Sequence, residues 1–234
     1  MEYIYDLLKD VWVLMPQLLE GLKVTLRIFA LTLVMSLPLG LLLSLGRISR
    51  FKPLQWIIQL YLLIFRGTPL MLQLYFFYFG LPFMPIPNPF GGGTVTIALD
   101  RYPAAVLAFV LNYAAYFAEI FRGGIIGVDH GQYEASKALG LNSFQTMRYV
   151  IIPQMLRMVV PPLANETIVL VKDTALVSSI AVIDLLRKAQ QAVDRDMNVT
   201  AYIVVAVIYL AITLVLTSIF QKLEKKLSIK GVKA

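Results

Sequence analysis

The sequence predicts an all-α membrane protein of about five transmembrane helices, with its N-terminus outside and its C-terminus cytoplasmic. Three observations carry this. Of the 234 residues, 59% are hydrophobic and 15% charged, against roughly 25% charged in a soluble domain. Apolar runs recur that are long enough to cross a hydrocarbon core of about 30 Å. Lysine and arginine gather in alternate loops. The composition excludes a soluble enzyme, a disordered chain and a collagen-like fibre. The chain has no cysteine, so a disulfide scaffold and a thiolate metal site are excluded too. The net charge of +7 points to cytoplasmic loops rather than to nucleic acid.

The elements follow in order, within a single transmembrane domain spanning residues 1–234. The first ten residues carry Glu2, Asp6 and Asp10 and lack the basic start of a cleavable signal, so none is expected. Residues 1–16 read as an interfacial amphipathic helix ended near Pro16. Five spans are expected, at about 21–46, 54–80, 103–126, 161–182 and 199–221. Residues 81–101 form a Pro/Gly-rich external loop, in which Gly91 to Thr94 reads as a turn. Residues 184–198 form a charged external loop containing a short helix. Residues 127–157 form a long cytoplasmic loop, and 222–234 a basic cytoplasmic tail.

Charge sets the orientation. Twelve of the 21 basic residues fall on one side, in the groups Arg47 to Lys52, Arg122 to Arg157 and Lys222 to Lys233. Five fall on the other: Lys9, Arg101, Arg187, Lys188 and Arg195. The richer side is cytoplasmic. Opposite termini require an odd number of crossings, which five satisfies.

No catalytic residue and no metal site emerge. A phosphate loop of the form G-x-x-x-x-G-K-[ST] is missing. The single histidine, His130, supports neither a His-paired nucleophile nor a multi-histidine metal site. The loop from His130 to Leu141, followed by NSFQTMRYVIIPQ, is the most specific segment. Gln132–Leu139 suits a short helix, and Gly140 suits its stop. A second helix begins over Phe144–Val150 and ends near Pro153. Small residues here can fit a groove on a soluble partner, and Glu134 offers a carboxylate to a partner's arginine.

This segment resembles the EAA signature of ABC importer membrane subunits, E-A-A-x3-G-x9-I-x-L-P. Glu134, Ala135, Ser136, Gly140, Val150, Ile152 and Pro153 keep its spacing, with conservative departures at Ser136, Val150 and Ile152. The stretch Phe65-Arg66-Gly67-Thr68-Pro69-Leu70, followed by Gln73, resembles a signature of the polar amino-acid permeases. So do the stretches from Tyr116 to Ile125 and from Lys172 to Leu176, although that subfamily usually has Ser where Ala175 stands. The likeness runs from about Gly21 to Lys222. It implies the type I ABC importer permease fold. It implies that Glu134, Ala135, Ser136, Gly140 and Leu141 dock the ATPase subunit. It further implies two ATP-binding subunits that carry ATP and Mg, a second permease subunit (the same chain or a paralogue) and an extracytoplasmic solute-binding protein. No cofactor is expected on this chain, which is placed in a bacterial or archaeal cytoplasmic membrane.

The substrate path is read from scarce intramembrane polarity. Arg66, Gly67, Thr68, Pro69 and Gln73 form one candidate stretch. Pro69 removes the backbone bond to residue 65, and the freed carbonyl must find a partner in protein or water. Glu166, Lys172, Asp173 and Thr174 form another. Glu166 and Asp173 are seven residues apart and share a helix face, and an adjacent acid and base match the two charges of an amino acid. The stripe Asn112, Tyr116 and Glu119 shares a face of the third span, with Arg122 one turn on as a partner for Glu119. Lys23 and Arg27 snorkel to the interface. Gly123, Gly127 and Gly131, four apart, sit at a membrane edge and carry little information about a dimer face. The subfamily likeness implies a polar or charged amino acid, and internal carboxylates suit a cationic one. The competing reading is an ion-coupled secondary transporter that needs no ATPase, with Glu166 and Asp173 carrying protons.

Overall fold

The computed structural model describes residues 2–87, 91 and 93–227. It is all-helical apart from a two-residue ladder, β1 (Ile86–Pro87) against β2 (Thr94–Val95), antiparallel. The expected turn at Gly91 to Thr94 falls there, with Gly93 at φ +104°; residue 92 lies outside the described residues. So do residues 228–234 of the expected basic tail.

The chain opens with one helix, α1 (Glu2–Arg47), of 46 residues. The expected interfacial helix does not end at Pro16, and both Pro16 and Pro38 lie inside α1. An internal proline costs about 3 kcal/mol. Leu14 and Leu18 flank Pro16, are buried, and pack into a cluster with Leu185, Ala189 and Ala201. Burying two leucines offsets a cost of that size.

The expected second span is broken. Helix α2 (Lys52–Gly67) and helix α3 (Leu70–Tyr75) meet at 105°. A π turn over Phe76–Gly80 and a 3-10 turn over Leu81–Phe83 continue α3. Helix α4 (Arg101–Gly127) is the centre of the fold. Ala104, Ala105, Ala108, Ala114, Ala115 and Ala118 are buried along it, between Phe109, Tyr113 and Phe117. Small residues let neighbouring backbones come close, which is how helices associate where water gives no drive. Gly40 of α1 is such a contact: a Cβ there would stand 2.8 Å from Cβ of Phe117.

Helix α5 (His130–Ala138) and helix α6 (Ser143–Thr146) fill the expected long loop. From α6 the chain passes through a π turn, Met147–Ile151, directly into α7 (Ile152–Asp173). The helix expected to end near Pro153 therefore continues, and the fourth span begins nine residues before the expected 161. Pro153 falls in the first turn of α7, where a missing N–H costs least. Beyond Asp173 the backbone tightens into a 3-10 stretch, Thr174–Ile180, instead of running on as α-helix to 182. Helix α8 (Leu185–Asp196) is the short helix expected in the charged external loop, and α9 (Thr200–Leu227) is the last span.

Among the described residues, three helices are long and apolar enough to cross a membrane, and the bent α2–α3 pair makes four. The expected fourth span, α7, is not among them and carries Arg157, Glu166, Lys172 and Asp173. At about 1.5 Å per residue its 22 residues still reach about 33 Å. Its apolar face is buried through Val159, Ala164, Leu170 and Val171.

Candidate functional site

The break at Gly67 to Pro69 organises the site. Pro69 cannot donate to the Phe65 carbonyl. Two side-chain amides do so instead: Gln73 Nε2 at 2.9 Å and Asn112 Nδ2 at 2.9 Å. The freed carbonyl thus finds protein partners. Thr68 closes α2 by donating both its N–H and its hydroxyl to Ile64 O.

Just before the break, Arg66 reaches towards α4. Its guanidinium stands 4.0 Å from Glu119 and 5.5 Å from the centre of the Tyr116 ring. Glu119 also accepts from Arg122, at 3.0 Å to Nε and 2.7 Å to Nη2. This is the internal pair expected from the sequence. Arg66, Tyr116, Glu119 and Glu166 line one open cleft of about 380 Å³, together with Pro162 and Met158 of α7. Elements far apart in sequence thus bring together one cation, two carboxylates and an aromatic face. A guanidinium and a carboxylate can clamp the two charges of a zwitterion, and the second carboxylate is left for a third, positive group.

The other expected path residues lie elsewhere. Asp173, half-buried at the end of α7, accepts a 2.7 Å hydrogen bond from Tyr113. Lys172 is exposed, and Thr174 is buried and donates to Val171 O. Gln73 is buried, with both ends of its amide engaged. Gly67 and Thr68 are exposed at the break. The cleft-lining residues that sequence reading left out include Pro162 and Met158, which had no polar signal; Asn112, read as part of the Tyr116–Glu119 stripe, serves the break instead of the cleft.

A second constellation surrounds α5. The Asp129 side chain caps it by accepting from Gly131 N. Its far end is a Schellman turn: Gly140 has φ +76°, Leu141 N donates to Ser136 O, and Gly140 N donates to Lys137 O. The helix observed, His130–Ala138, overlaps the expected Gln132–Leu139 and stops at the expected glycine. Tyr133 packs on the cluster of Val128, Ile151 and Met155, and Gln154 Nε2 donates to Gln132 Oε1, so α7 carries α5. Glu134 and Ala135 are exposed, with Glu134 Oε1 3.4 Å from His130 Nδ1. Ser136 is instead buried and donates to Gln132 O. Leu139 is 80% and Phe144 72% exposed, an apolar pair beside this polar helix.

A helical bundle with a broken span, a charged cleft and a capped helix held beside it has the form of a membrane transport subunit. The chain belongs to the family of binding-protein-dependent transport system inner membrane components, whose model matches residues 36–229. It is 40% identical over 213 residues to the arginine transport system permease protein ArtQ of Bacillus subtilis, covering 91% of this chain and 93% of that one. It is 37% identical over 220 residues to the glutamine transport system permease protein GlnP of Escherichia coli, covering 94% and 96%. A crystal structure of an amino acid ABC transporter with histidines superposes with a TM-score of 0.81 at 35% identity, over 94% of this chain and 97% of that one. The inward-facing MetNI methionine ABC transporter matches at a TM-score of 0.68 and 21% identity, covering 94% and 99%, a likeness of fold. The chain is therefore an ABC importer permease of the amino-acid type, in the plain sense of family.

Proposed function

We propose that this chain is the permease subunit of an ATP-driven importer for a cationic amino acid. One observation carries the substrate class: the cleft that sets Arg66 and Glu119 beside Glu166 and Tyr116. In this reading the substrate carboxylate meets Arg66, and its ammonium and side-chain cation meet Glu119 and Glu166. Glu119 already serves Arg122, which leaves Glu166 as the acid for the side chain. The names of the arginine and glutamine permease relatives support the amino-acid class.

Power comes from outside the chain. Two cytoplasmic ATP-binding subunits hold ATP and Mg, and each receives α5 of one permease through Glu134, Ala135 and the exposed Leu139. The second permease is a copy or a paralogue, and an extracytoplasmic solute-binding protein delivers the substrate. The N-terminus faces outside, and the bacterial or archaeal cytoplasmic membrane is the setting. Closure of the ATPase pair pushes the α5 helices together. Because Tyr133 and Gln132 tie α5 to α7, that push reaches the helix bearing Glu166.

The test is uptake of labelled arginine, lysine, histidine, glutamine and glutamate into ATP-loaded proteoliposomes containing the full complex. Cationic substrates are expected to dominate. A charge-assisted hydrogen bond is worth about 1.5–3 kcal/mol, so Glu166→Gln is expected to lower arginine uptake about ten- to a hundredfold and glutamine uptake far less. Equal losses for both would remove Glu166 from the specificity site. Uptake that persists without the ATPase and collapses with a protonophore would favour the ion-coupled reading.

A further inference from the structure

The Gln73 and Asn112 side chains meet in a closed arrangement at the α2–α3 bend. Asn112 Nδ2 donates to Phe65 O at 2.9 Å and to Gln73 Oε1 at 3.0 Å. Gln73 Nε2 donates to Phe65 O at 2.9 Å, and approaches Thr68 O at 3.1 Å and Thr68 Oγ1 at 2.9 Å. Both residues are buried, at 6% and 4% exposure. Neither lines the cleft of Arg66, Glu119 and Glu166. Both amide nitrogens and Gln73 Oε1 are occupied at the break, and a solute reaching Gln73 would have to displace these bonds.

We propose that Gln73 and Asn112 are an amide clasp. The clasp replaces the backbone bond removed by Pro69, holds the 105° bend, and thereby positions Arg66. The Phe65 carbonyl belongs to the same planar peptide unit as the Arg66 nitrogen. Fixing that carbonyl fixes the root of the Arg66 side chain. The stripe on α4 then has one logic along its length. Asn112 holds the backbone, Tyr116 receives the guanidinium face, and Glu119 pairs with its charge. Gln73 and Asn112 are thus positioning residues that do not touch solute. Only the functional consequence of the clasp rests on the cleft being a transport path; the bend itself does not.

The chain has no cysteine, so a spin-label pair can be introduced at Leu60 and Phe79, which are 58% and 52% exposed on either side of the bend. Distances are measured by pulsed electron resonance in the reconstituted complex. Gln73→Leu and Asn112→Leu are each expected to broaden and shift the distribution, and the double variant no further than either single. Gln73→Glu, which still accepts from Asn112 but no longer donates to Phe65 O, is expected to give an intermediate shift. Asn112→Asp keeps size and polarity, loses both donated bonds, and covers the case in which the leucine variants do not assemble. In uptake assays the leucine variants are expected to lose activity by one common factor, at least about fivefold, for every amino acid carried. Unchanged distances in all five variants would overturn the clasp. A changed preference between cationic and neutral amino acids at unchanged distance would make Gln73 a solute contact and overturn the positioning role. Should the complex move no amino acid, the cleft reading fails while the distance measurement still decides the clasp.

Discussion

Asp184 shows how one side chain couples burial to pH. It caps α8, accepting from Arg187 N at 2.9 Å, and is fully buried beneath α1, where Leu185 N donates to Thr25 Oγ1. Its Oδ2 has no hydrogen-bond partner among the described residues. Burial pushes its carboxyl up to about 6, against the pull of the helix N–H groups and Arg187. The folded chain therefore holds this proton more tightly than the unfolded chain. Stability should fall as pH rises from about 4 to about 6 and level off above, by an amount on the order of 1–3 kcal/mol. Asp184→Asn keeps an oxygen to cap α8 and has no proton to lose. Thermal unfolding in detergent at pH 4.5 and 7 is expected to show a smaller difference for this variant than for the parent. At the same scale, Arg66 and Glu119 were legible in the sequence because a charge inside an apolar run stands out. The occupied state of Gln73 was not, because an amide reads the same whether it meets solute or backbone.

At the scale of elements, the termination of α5 was readable and that of α1 was not. Gly140 adopts φ +76°, a conformation that costs an L-residue about 1 kcal/mol or more. Gly140→Val is thus expected to loosen the Schellman turn and misplace Leu139 and Leu141. In the complex, substrate-stimulated ATP hydrolysis should fall severalfold, while basal hydrolysis by the ATPase subunits alone is unchanged. Pro16, Pro38, Pro153, Pro161 and Pro162 all sit inside or at the start of helices, although proline is the strongest stop signal in a soluble sequence. Neighbouring helices can make good the lost bonds in a membrane bundle. Pro69 does break its helix, since Gly67 and Thr68 precede it and side-chain amides stand ready to take the exposed carbonyl.

At the scale of the whole molecule, α4 is the mast to which α1, α2 and α7 are tied. Helix α7 packs tightly on α4 at Gly124, where an added Cβ would stand 2.2 Å from Val159 Cγ2. Of the glycines spaced four apart, Gly127 also meets α7, where a Cβ would stand 2.3 Å from Met158 Cε, whereas a Cβ at Gly123 would meet nothing within 4 Å. Gly124→Ala is expected to force α7 away from α4 and to cost about 1–3 kcal/mol, read as a lower unfolding midpoint. Gly123→Ala should be close to neutral in the same measurement. Uptake should also fall in Gly124→Ala, because α4 and α7 carry opposite walls of the cleft.

By itself the sequence determined the solvent of this protein, the approximate places of its spans, the polar helix with its glycine stop, and the charges that had to lie inside. Each follows from local composition, since hydrocarbon tolerates few charges and a backbone turn of positive φ asks for glycine. The tertiary structure alone decided which charges of the helices meet. Arg66, Glu119 and Glu166 converge on one cleft, while Asp173 turns to Tyr113 and Gln73 to the bend. Helix faces can be read along a chain. Which face of one helix meets which face of another depends on close packing at positions such as Gly40 and Gly124, and that is a property of the assembled bundle.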